Sequence, residues 1–163
     1  MGLFGPPNIE KLKAKKDLRG LIKALRYQKD WSVRMYAAQA LGEIGDTLAV
    51  EPLIAALQRG ETLAIPSAGA LGEIGDCRAV EPLIVILREG RSVLREAAAK
   101  ALGKIGDARA VEALTDALKD SSLVKPEVAA RALGQTGAPA VGPLIVALQE
   151  GAKGTRDAAG EVL

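Results

Sequence analysis

The sequence contains no histidine, a single cysteine and very few aromatic residues. Because Cys77 is alone, no intramolecular disulfide can form, and without histidine the usual zinc-ligand spacings cannot be assembled. We therefore expect a cytoplasmic protein that holds no metal and no cofactor. Aromatic residues make up only 2% of the chain, whereas alanine and leucine supply most of the hydrophobic 48%. This composition favours closely packed helices over sheets, which are rich in β-branched and aromatic side chains.

Long apolar segments are missing as well. The longest apolar runs fall far short of the roughly 20 residues that a membrane-spanning helix needs. The opening residues, Met1 to Pro7, lack the basic region and apolar core of an export signal. Gly2 matches the start of a myristoylation site, but Pro6 stands where serine or threonine is required. We expect neither an export signal nor a membrane partner.

The net charge of +2 is distributed unevenly along the chain. Residues 1–36 hold nine Lys and Arg against three Asp and Glu, and residues 37–163 hold thirteen against seventeen. A basic end on a near-neutral body can attract nucleic acid, an anionic surface or an acidic protein. A solvated cap at the end of the fold explains the same charge without any partner, so both interpretations stay open here.

A short pattern recurs four times and dominates the sequence. Residues 41–46 read Leu-Gly-Glu-Ile-Gly-Asp, and residues 49–54 read Ala-Val-Glu-Pro-Leu-Ile. The pattern returns from Leu71, Leu102 and Leu133, at steps of 30, 31 and 31 residues. Such regular spacing is typical of a solenoid, in which each repeat covers the core of its neighbour. The sequence therefore predicts an all-α solenoid of paired helices.

We predict one solenoid domain over residues 1–163. Residues 17–25 align without gaps on residues 49–57, so the repeat begins before its motif does, in an atypical polar copy that covers the open end. Near the other end, Arg156 and Leu163 stand where Arg34 and Leu41 stand in the first repeat, which leaves a longer parent chain as an alternative. The predicted segments are an arm (1–8), a capping repeat (9–29), four repeats (30–60, 61–90, 91–120 and 121–151) and a partial last repeat (152–163).

Each repeat is predicted to hold two helices. Asn8 is a suitable N-cap for a short basic helix over residues 9–16, and Asp30 for a first helix ending near Ile44. Gly45 then stands where a helix end favours a left-handed residue, and Asp46 caps the second helix. Because Pro52 has no N–H to donate, the second helix must start with a loose turn over residues 47–49 or tolerate a kink.

Prolines predict that the first helices of the even repeats are shortened. In the second repeat, Pro66 and Gly69 limit the first helix to residues 66–74, with Pro66 at its first position. In the fourth repeat, Pro126 opens a helix that runs through Gln135. The third repeat has no such residue, so a full helix is expected from Ser92 or Val93 to Ile105.

The repeated polar residues point to structure and not to catalysis. Asp46, Asp76 and Asp107 each lie between a helix-ending glycine and a new helix, where N-capping explains them, and Ala138 breaks the series. Cys77 occupies a variable slot at a helix start, with no histidine to activate it. The recurring Arg34, Arg95 and Arg156 suit pairing with a carbonyl or carboxylate of the adjacent repeat. We expect no catalytic residue and no enzyme activity.

The outward side of the second helices is the candidate binding surface. With Val50, Leu53 and Leu57 facing inward, Glu51 and Gln58 face outward. Equivalent outward positions change in charge and size from repeat to repeat while the framework recurs, as in a binding surface, although solvated faces vary similarly. The predicted binding-surface residues are Arg19, Lys23, Arg26, Glu51, Gln58, Glu81, Arg88, Glu112, Asp116 and Lys119.

The pattern Leu-Gly-x-Ile-Gly-Asp-x-x-Ala-Val-x-Pro-Leu-Ile-x-x-Leu, read at residues 41–57, 71–87, 102–118 and, weakened, 133–148, resembles the phycobilisome (PBS) lyase HEAT-like repeat. The resemblance covers residues 9–163. It implies a right-handed α-solenoid of paired antiparallel helices, with the second helices on the concave side, and a protein-binding scaffold as the usual role. It says little about activity, because a fold does not fix a function.

Three functions remain open. The first is a non-enzymatic scaffold that binds another protein on the concave face. The second, suggested by the name of the family, is a bilin lyase-like subunit or an assembly chaperone, which an absorbance scan for bound tetrapyrrole would test. The third is nucleic-acid binding by the basic end, which the scarcity of aromatic side chains for base stacking disfavours. A HEAT-repeat hydroxylase, which holds iron with histidine, is excluded. The partner and the oligomeric state are not fixed by the sequence.

Overall fold

The computed structural model describes residues 5–59 and 61–163, and all regular structure in these ranges is helical. The predicted all-α class is therefore confirmed, while the first four residues of the predicted arm lie outside the described ranges. Short 3₁₀ turns at Thr47–Ala49, Cys77–Ala79 and Ala138–Ala140 precede three of the helices. The α-helices of the described residues are α1 (Ile9–Ala14), α2 (Leu18–Ala24), α3 (Trp31–Ile44), α4 (Val50–Gln58), α5 (Glu61–Ile74), α6 (Val80–Glu89), α7 (Ser92–Ile105), α8 (Ala110–Lys119), α9 (Pro126–Gln135), α10 (Val141–Glu150) and α11 (Lys153–Gly160).

The helices group into two compact units that divide after Ile74. The first unit contains α1 to α5, and the second, from Gly75 onward, contains α6 to α11. The boundary falls between the first and second helices of the second repeat. The assignment of the whole chain to one domain stays a prediction.

Side-chain caps start α1, α2 and α3, and those at Asn8 and Asp30 are the ones predicted from the sequence. Asn8 Oδ1 accepts a hydrogen bond from the Lys11 amide at 2.8 Å at the start of α1. Asp17 Oδ1 accepts one from the Gly20 amide at 2.9 Å, which starts α2. Asp30 Oδ1 accepts one from the Ser32 amide at 2.9 Å, which starts α3. Each cap supplies a partner to one of the amides that a helix start leaves without one.

The link between paired helices also follows the prediction. Gly45 ends α3 with a φ of 73°, a conformation that costs glycine little and other residues more. Asp46 then accepts from the Leu48 amide at 2.9 Å, and the 3₁₀ turn Thr47–Ala49 leads into α4. Because α4 begins at Val50, Pro52 falls in its first turn, where the missing N–H breaks no helical bond. The loose first turn, and not a kink, accommodates this proline.

Glycine and alanine bring the first helices of neighbouring repeats close together. In the first unit, a Cβ added at Gly42 of α3 would lie 2.8 Å from the Cα of Ala70 in α5. In the second unit, a Cβ at Gly103 of α7 would lie 2.8 Å from the Cα of Ala132 in α9. Neither separation leaves room for a side chain. Leucines such as Leu41 and Leu102, both fully buried, supply most of the bulk of each core.

The predicted shortening of the first helix is wrong in the second repeat and right in the fourth. α5 runs from Glu61 to Ile74 as a 14-residue helix with Pro66 inside it. α9 begins at Pro126, which occupies a first-turn position. The third repeat has the expected full helix, Ser92–Ile105. Burial of residues on both sides of Pro66, such as Ala64 and Ser67, overrides the local preference in α5.

Candidate functional site

All ten residues of the predicted binding surface are exposed. In the first unit, Arg19 and Lys23 lie on α2, Arg26 follows that helix, and Glu51 and Gln58 lie on α4. The second unit carries the other five, which we call the mixed-charge face. Its residues are Glu81 and Arg88 on α6 and Glu112, Asp116 and Lys119 on α8. Within each unit, the outward orientation predicted from helical spacing agrees with this exposure.

The first unit presents a row of cations on α2. Arg19, Lys23 and Arg26 are separated by four and three residues, so they project from one side of the helix. Within the part of the chain that the structure describes, none of these side chains makes an ion pair or hydrogen bond. Arg59, at the end of α4, is exposed and likewise unpaired. We call these four residues the cationic face; Arg59 is not among the binding-surface residues predicted from helical spacing.

A cleft lies between the cationic residues of the two helices. It is lined by Ile22 and Leu25 on one side and by Pro52 and Ala55 on the other, with Arg26 and Arg59 among its polar lining residues. Its cavity volume is about 30 Å³, enough for the end of one side chain and far too small for a cofactor. The cleft therefore suits a small anionic group carried by a larger partner.

Arg109, which the sequence analysis did not single out, interacts with one residue of the mixed-charge face of the second unit. Arg109 Nη2 donates to Asp107 Oδ2 at 2.7 Å and to the carbonyl oxygen of Cys77 at 3.0 Å. Its Nη1 lies 3.9 Å from Glu81 Oε1. Arg109 therefore connects the segment before α6 to the segment before α8. It also partly balances the negative charge of Glu81.

The aspartates at the helix links are structural acids with low pKa values. The hydrogen bond from the Arg78 side chain, followed by one from the Arg78 amide, lowers the pKa of Asp76 to about 2. The side chain and amide of Arg109 lower the pKa of Asp107 to about 2 in the same way. Each carboxylate is ionised near neutral pH and engaged by its own link, so it is a weak proton acceptor. The N-capping interpretation is confirmed.

The recurring arginines on the first helices act as predicted in two repeats. Arg95 Nη2 donates to the Arg88 carbonyl oxygen at the end of α6, at 3.2 Å. Arg156 Nη1 donates to the Gly151 carbonyl oxygen at 2.8 Å. The Nε atoms of Arg34 and Arg95 are buried without a partner. These contacts connect a first helix to the preceding repeat.

The larger cavities of the described residues are open grooves. One of about 470 Å³ lies between α3 and α5, where Met35, Ile65 and Pro66 form apolar walls. Glu43, at its edge, forms an ion pair with Lys13, which lowers the pKa of Glu43. No group of three or more His, Cys, Asp or Glu in the described ranges could hold a metal ion. None of the helices in those ranges is both long and apolar enough to cross a bilayer.

An apolar surface appears on α10. Val80, Ile84 and Leu87 of α6 are at most 8% exposed, whereas their equivalents Val141, Ile145 and Leu148 of α10 are 40–45% exposed. Valine, isoleucine and leucine at equivalent positions are therefore buried on α6 and exposed on α10.

Two family profiles match the chain. The profile for HEAT repeats matches residues 61–127. The profile for the PBS lyase HEAT-like repeat matches residues 33–59 and 127–151. Among curated proteins, none matches.

Solved structures show the same kind of fold. The complex of CpcE and CpcF of phycocyanin lyase from Nostoc sp. PCC7120 is 32% identical with a TM-score of 0.71, and the match covers 89% of this chain and 63% of that chain. An engineered protein is 24% identical with a TM-score of 0.66, covering 98% and 83%. A designed armadillo repeat protein in complex with the peptide (KR)4 is 17% identical with a TM-score of 0.62, covering 97% and 85%. The last two show the fold alone.

The profiles and the structures agree with the resemblance that the repeated motif indicates. The chain spans about 63% of the length of the phycocyanin lyase chain that it matches, so the activity of that complex is not transferred by the likeness. The chain is therefore an all-α HEAT-repeat protein that contains PBS lyase HEAT-like repeats.

Proposed function

We propose that the chain is a non-enzymatic module that recognises another protein through the exposed sides of its second helices. The observation that carries this proposal is the contrast between the buried and exposed positions of one helix type. The buried positions hold the same residues in both helices: Val50 and Leu53 of α4 correspond to Val80 and Leu83 of α6, and all four are fully buried. Exposed positions change freely, from Arg19 on α2 to Glu51 on α4. Folding requires the cations on α2 only to be soluble, so their charges are available for recognition.

The charge of the cationic face supports a protein partner with acidic residues. Exposed charges contribute little to folding, but they raise the rate at which a complementary partner associates. Four unpaired cations in one unit repel one another mildly, and a bound acidic segment would relieve that repulsion. The recognition is therefore expected to weaken as salt rises, since the Debye length is about 8 Å at physiological ionic strength.

The test begins with a partner captured from the lysate of the source organism and identified by mass spectrometry. Its association rate with the purified chain is then measured by surface plasmon resonance at several salt concentrations. The variant Arg19→Glu/Arg26→Glu should slow association at least about tenfold while thermal stability stays nearly unchanged. Binding that depends on these residues, and falls with salt, supports the proposal.

The matched control reverses two charges outside the surface. Lys11 and Lys15 are exposed and unpaired within the described residues, so Lys11→Glu/Lys15→Glu changes the net charge equally. Lys13 is unsuitable because it forms an ion pair with Glu43. If the control slows association as much as the surface variant, diffuse charge is responsible and nucleic acid or an anionic surface becomes the better interpretation. If neither variant has an effect, the assigned surface is wrong.

A second candidate function is a bilin lyase-like subunit or an assembly chaperone. It is supported by the PBS lyase HEAT-like matches and by the 32% identity to the phycocyanin lyase complex. Titration of the purified chain with a linear tetrapyrrole tests it. A saturable shift of the visible absorption band at one pigment per chain would support this function. An unchanged spectrum, in the presence and absence of the captured partner, would remove it.

A further inference from the structure

The cleft between α2 and α4 places two arginines at one small opening. Arg26 follows α2 and Arg59 follows α4, and both line the cleft. Neither has an ion pair or side-chain hydrogen bond among the residues that the structure describes. A guanidinium carries its charge at any physiological pH, so the two groups repel each other at all times.

The equivalent positions in the second unit carry opposite charges. Counting along the repeat, Arg88 at the end of α6 corresponds to Arg26, and Asp120 after α8 corresponds to Arg59. An arginine and an aspartate stand at these places, so their formal charges sum to zero. The repeat framework is thus compatible with a neutral pair, and the first unit departs from it by carrying two cations.

The apolar lining of the cleft decides which kind of anion it suits. Ile22, Leu25 and Pro52 contribute side chains to the walls, and Ala55 keeps the opening clear. Such walls favour an aliphatic side chain next to the anion, and they lower the local dielectric, which strengthens a charge-assisted hydrogen bond. A phosphodiester backbone offers no aliphatic group to these walls, and the cleft offers no aromatic surface for base stacking.

We propose that this cleft is a carboxylate-binding site for an acidic protein segment in which Asp or Glu is followed or preceded by an aliphatic residue. Arg26 and Arg59 hold the carboxylate from two sides, each with the planar fork that matches its oxygens. The aliphatic side chain covers Ile22 and Pro52. This inference rests on the proposed protein-binding function and names the chemistry of the partner.

The experiment uses a fluorescein-labelled, acetylated peptide that alternates glutamate and leucine, with the purified full chain. Fluorescence anisotropy gives the Kd, and ¹⁵N NMR follows the side-chain Nε–H signals of Arg26 and Arg59. Both signals should shift and saturate together. Arg26→Ala and Arg59→Ala should each raise the Kd about tenfold, as expected for loss of one charged hydrogen-bonding partner.

A variant that places a carboxylate in the cleft gives an independent test. Ala55 is exposed on α4 and corresponds to Asp116 in the second unit, so Ala55→Asp places a carboxylate beside both arginines without disturbing the core. It should raise the Kd at least about tenfold by occupying the site from within. Lys15→Ala, an exposed cation outside the cleft, serves as the matched control and should leave the Kd within about twofold.

The outcomes separate this site from the broader function. If Arg59→Ala and Ala55→Asp bind the peptide like the wild type while Arg19→Ala binds it weakly, the cleft is not the site, although the cationic face still acts. If replacing leucine by serine in the peptide leaves the Kd unchanged, the apolar half of the proposal is wrong. If oligo(dT) displaces the peptide and shifts the same two arginine signals at equal concentration, the site recognises phosphate and the acidic-segment assignment is overturned.

Discussion

The first helices of the second and fourth repeats, α5 and α9, both contain a proline, yet the two prolines have different places. Pro126 opens α9, where its missing N–H breaks no helical bond. Pro66 lies inside α5, where it cannot donate to the Thr62 carbonyl oxygen and its ring crowds that turn. The same residue type therefore begins one helix and is tolerated inside the other.

The residues before the proline account for the difference. In α5, Leu63 is 8% exposed and Ala64 is 1% exposed, so burial holds the turn that precedes Pro66 in the helix. The position of α9 that corresponds to Leu63 is Lys125, an exposed residue that pairs with Glu96 at 3.4 Å. Val124, directly before Lys125, is already buried at 2% exposure without being helical, so an extra helical turn before Pro126 would bury little more. Packing, and not proline alone, decides where these helices begin.

The largest expected effect comes from removing the interior proline. Pro66→Ala should raise the free energy of unfolding by up to about 3 kcal/mol, because it restores a helical hydrogen bond and removes a clash. Pro126→Ala, the matched control, should change it by less than about 0.5 kcal/mol, since proline suits a first helical position. Urea denaturation followed by circular dichroism measures both. Equal effects of the two substitutions would show that the helices do not differ as described.

A second pair concerns the glycines on α5 and on the helix that packs against it. Gly42→Ala in α3 should destabilise the protein by about 1 to 3 kcal/mol, because the new methyl group meets the backbone of Ala70. Gly69→Ala in α5 should stabilise it by about 0.5 to 1 kcal/mol, since no atom lies within 4 Å of the new Cβ and alanine is the better helix former. Thermal unfolding of both variants tests this, and shifts of the same sign would contradict the close approach of α3 and α5.

A third pair exchanges serine and alanine at one position of the two helices. Ser67 of α5 is fully buried and its Oγ has no hydrogen-bond partner, whereas the corresponding Ala129 of α9 is fully buried and apolar. Ser67→Ala should therefore raise the free energy of unfolding by about 1 kcal/mol. Ala129→Ser should lower it by a similar amount. A loss of stability in Ser67→Ala would reveal a hydrogen bond that the buried hydroxyl makes.

The smallest expected effect lies in the links that follow α5 and α9. Asp76 caps the link after α5, whereas Gly137, with no side chain to accept a hydrogen bond, precedes the 3₁₀ turn after α9. Asp76→Ala should cost about 0.5 kcal/mol at pH 7, the lower end of the range for loss of an N-cap.

The pH dependence of that cost follows from the low pKa of Asp76. Because folding lowers this pKa to about 2, the contribution is complete above the unfolded value of about 4. It is lost as the pH falls toward about 2. The wild type and Asp76→Ala should thus converge in acid, which urea unfolding at pH 7 and pH 2 measures; a constant difference would mean that the carboxylate charge is not involved.

Most of the fold could be predicted because its signals are local and repeated. The spacing of the leucines fixed the number of repeats, and Asn8, Asp30 and Gly45 marked helix ends by their own chemistry. The start of α5 could not be predicted this way, because it depends on contacts that Leu63 makes with other helices. In the fourth repeat, the link is one residue shorter, so Gly137 and not Ala138 takes the place of the capping aspartate.

The candidate site was predictable only in outline. Helical spacing identifies which side chains point outward, and the exposure of Arg19 and Glu51 agrees with it. Spacing does not show that Arg59, at the end of one helix, shares a cleft with Arg26 at the end of another. It also does not show that Arg109 is committed to Asp107 and Cys77. Such pairings depend on side-chain geometry between helices, which a one-dimensional pattern does not contain.

The close approach at Gly42 and Gly103 restricts how a repeat of this kind can evolve. Glycine has the smallest side chain, and the facing backbone leaves no space for a larger one. Any substitution at these positions therefore weakens the close contact between neighbouring first helices. A duplicated repeat is free to exchange its exposed residues but not this glycine. Two descendants can therefore keep the same motif while their ligands diverge completely. Similarity in the motif therefore indicates a shared origin of the scaffold, whereas similarity in ligand binding has to be judged from the exposed residues around the motif.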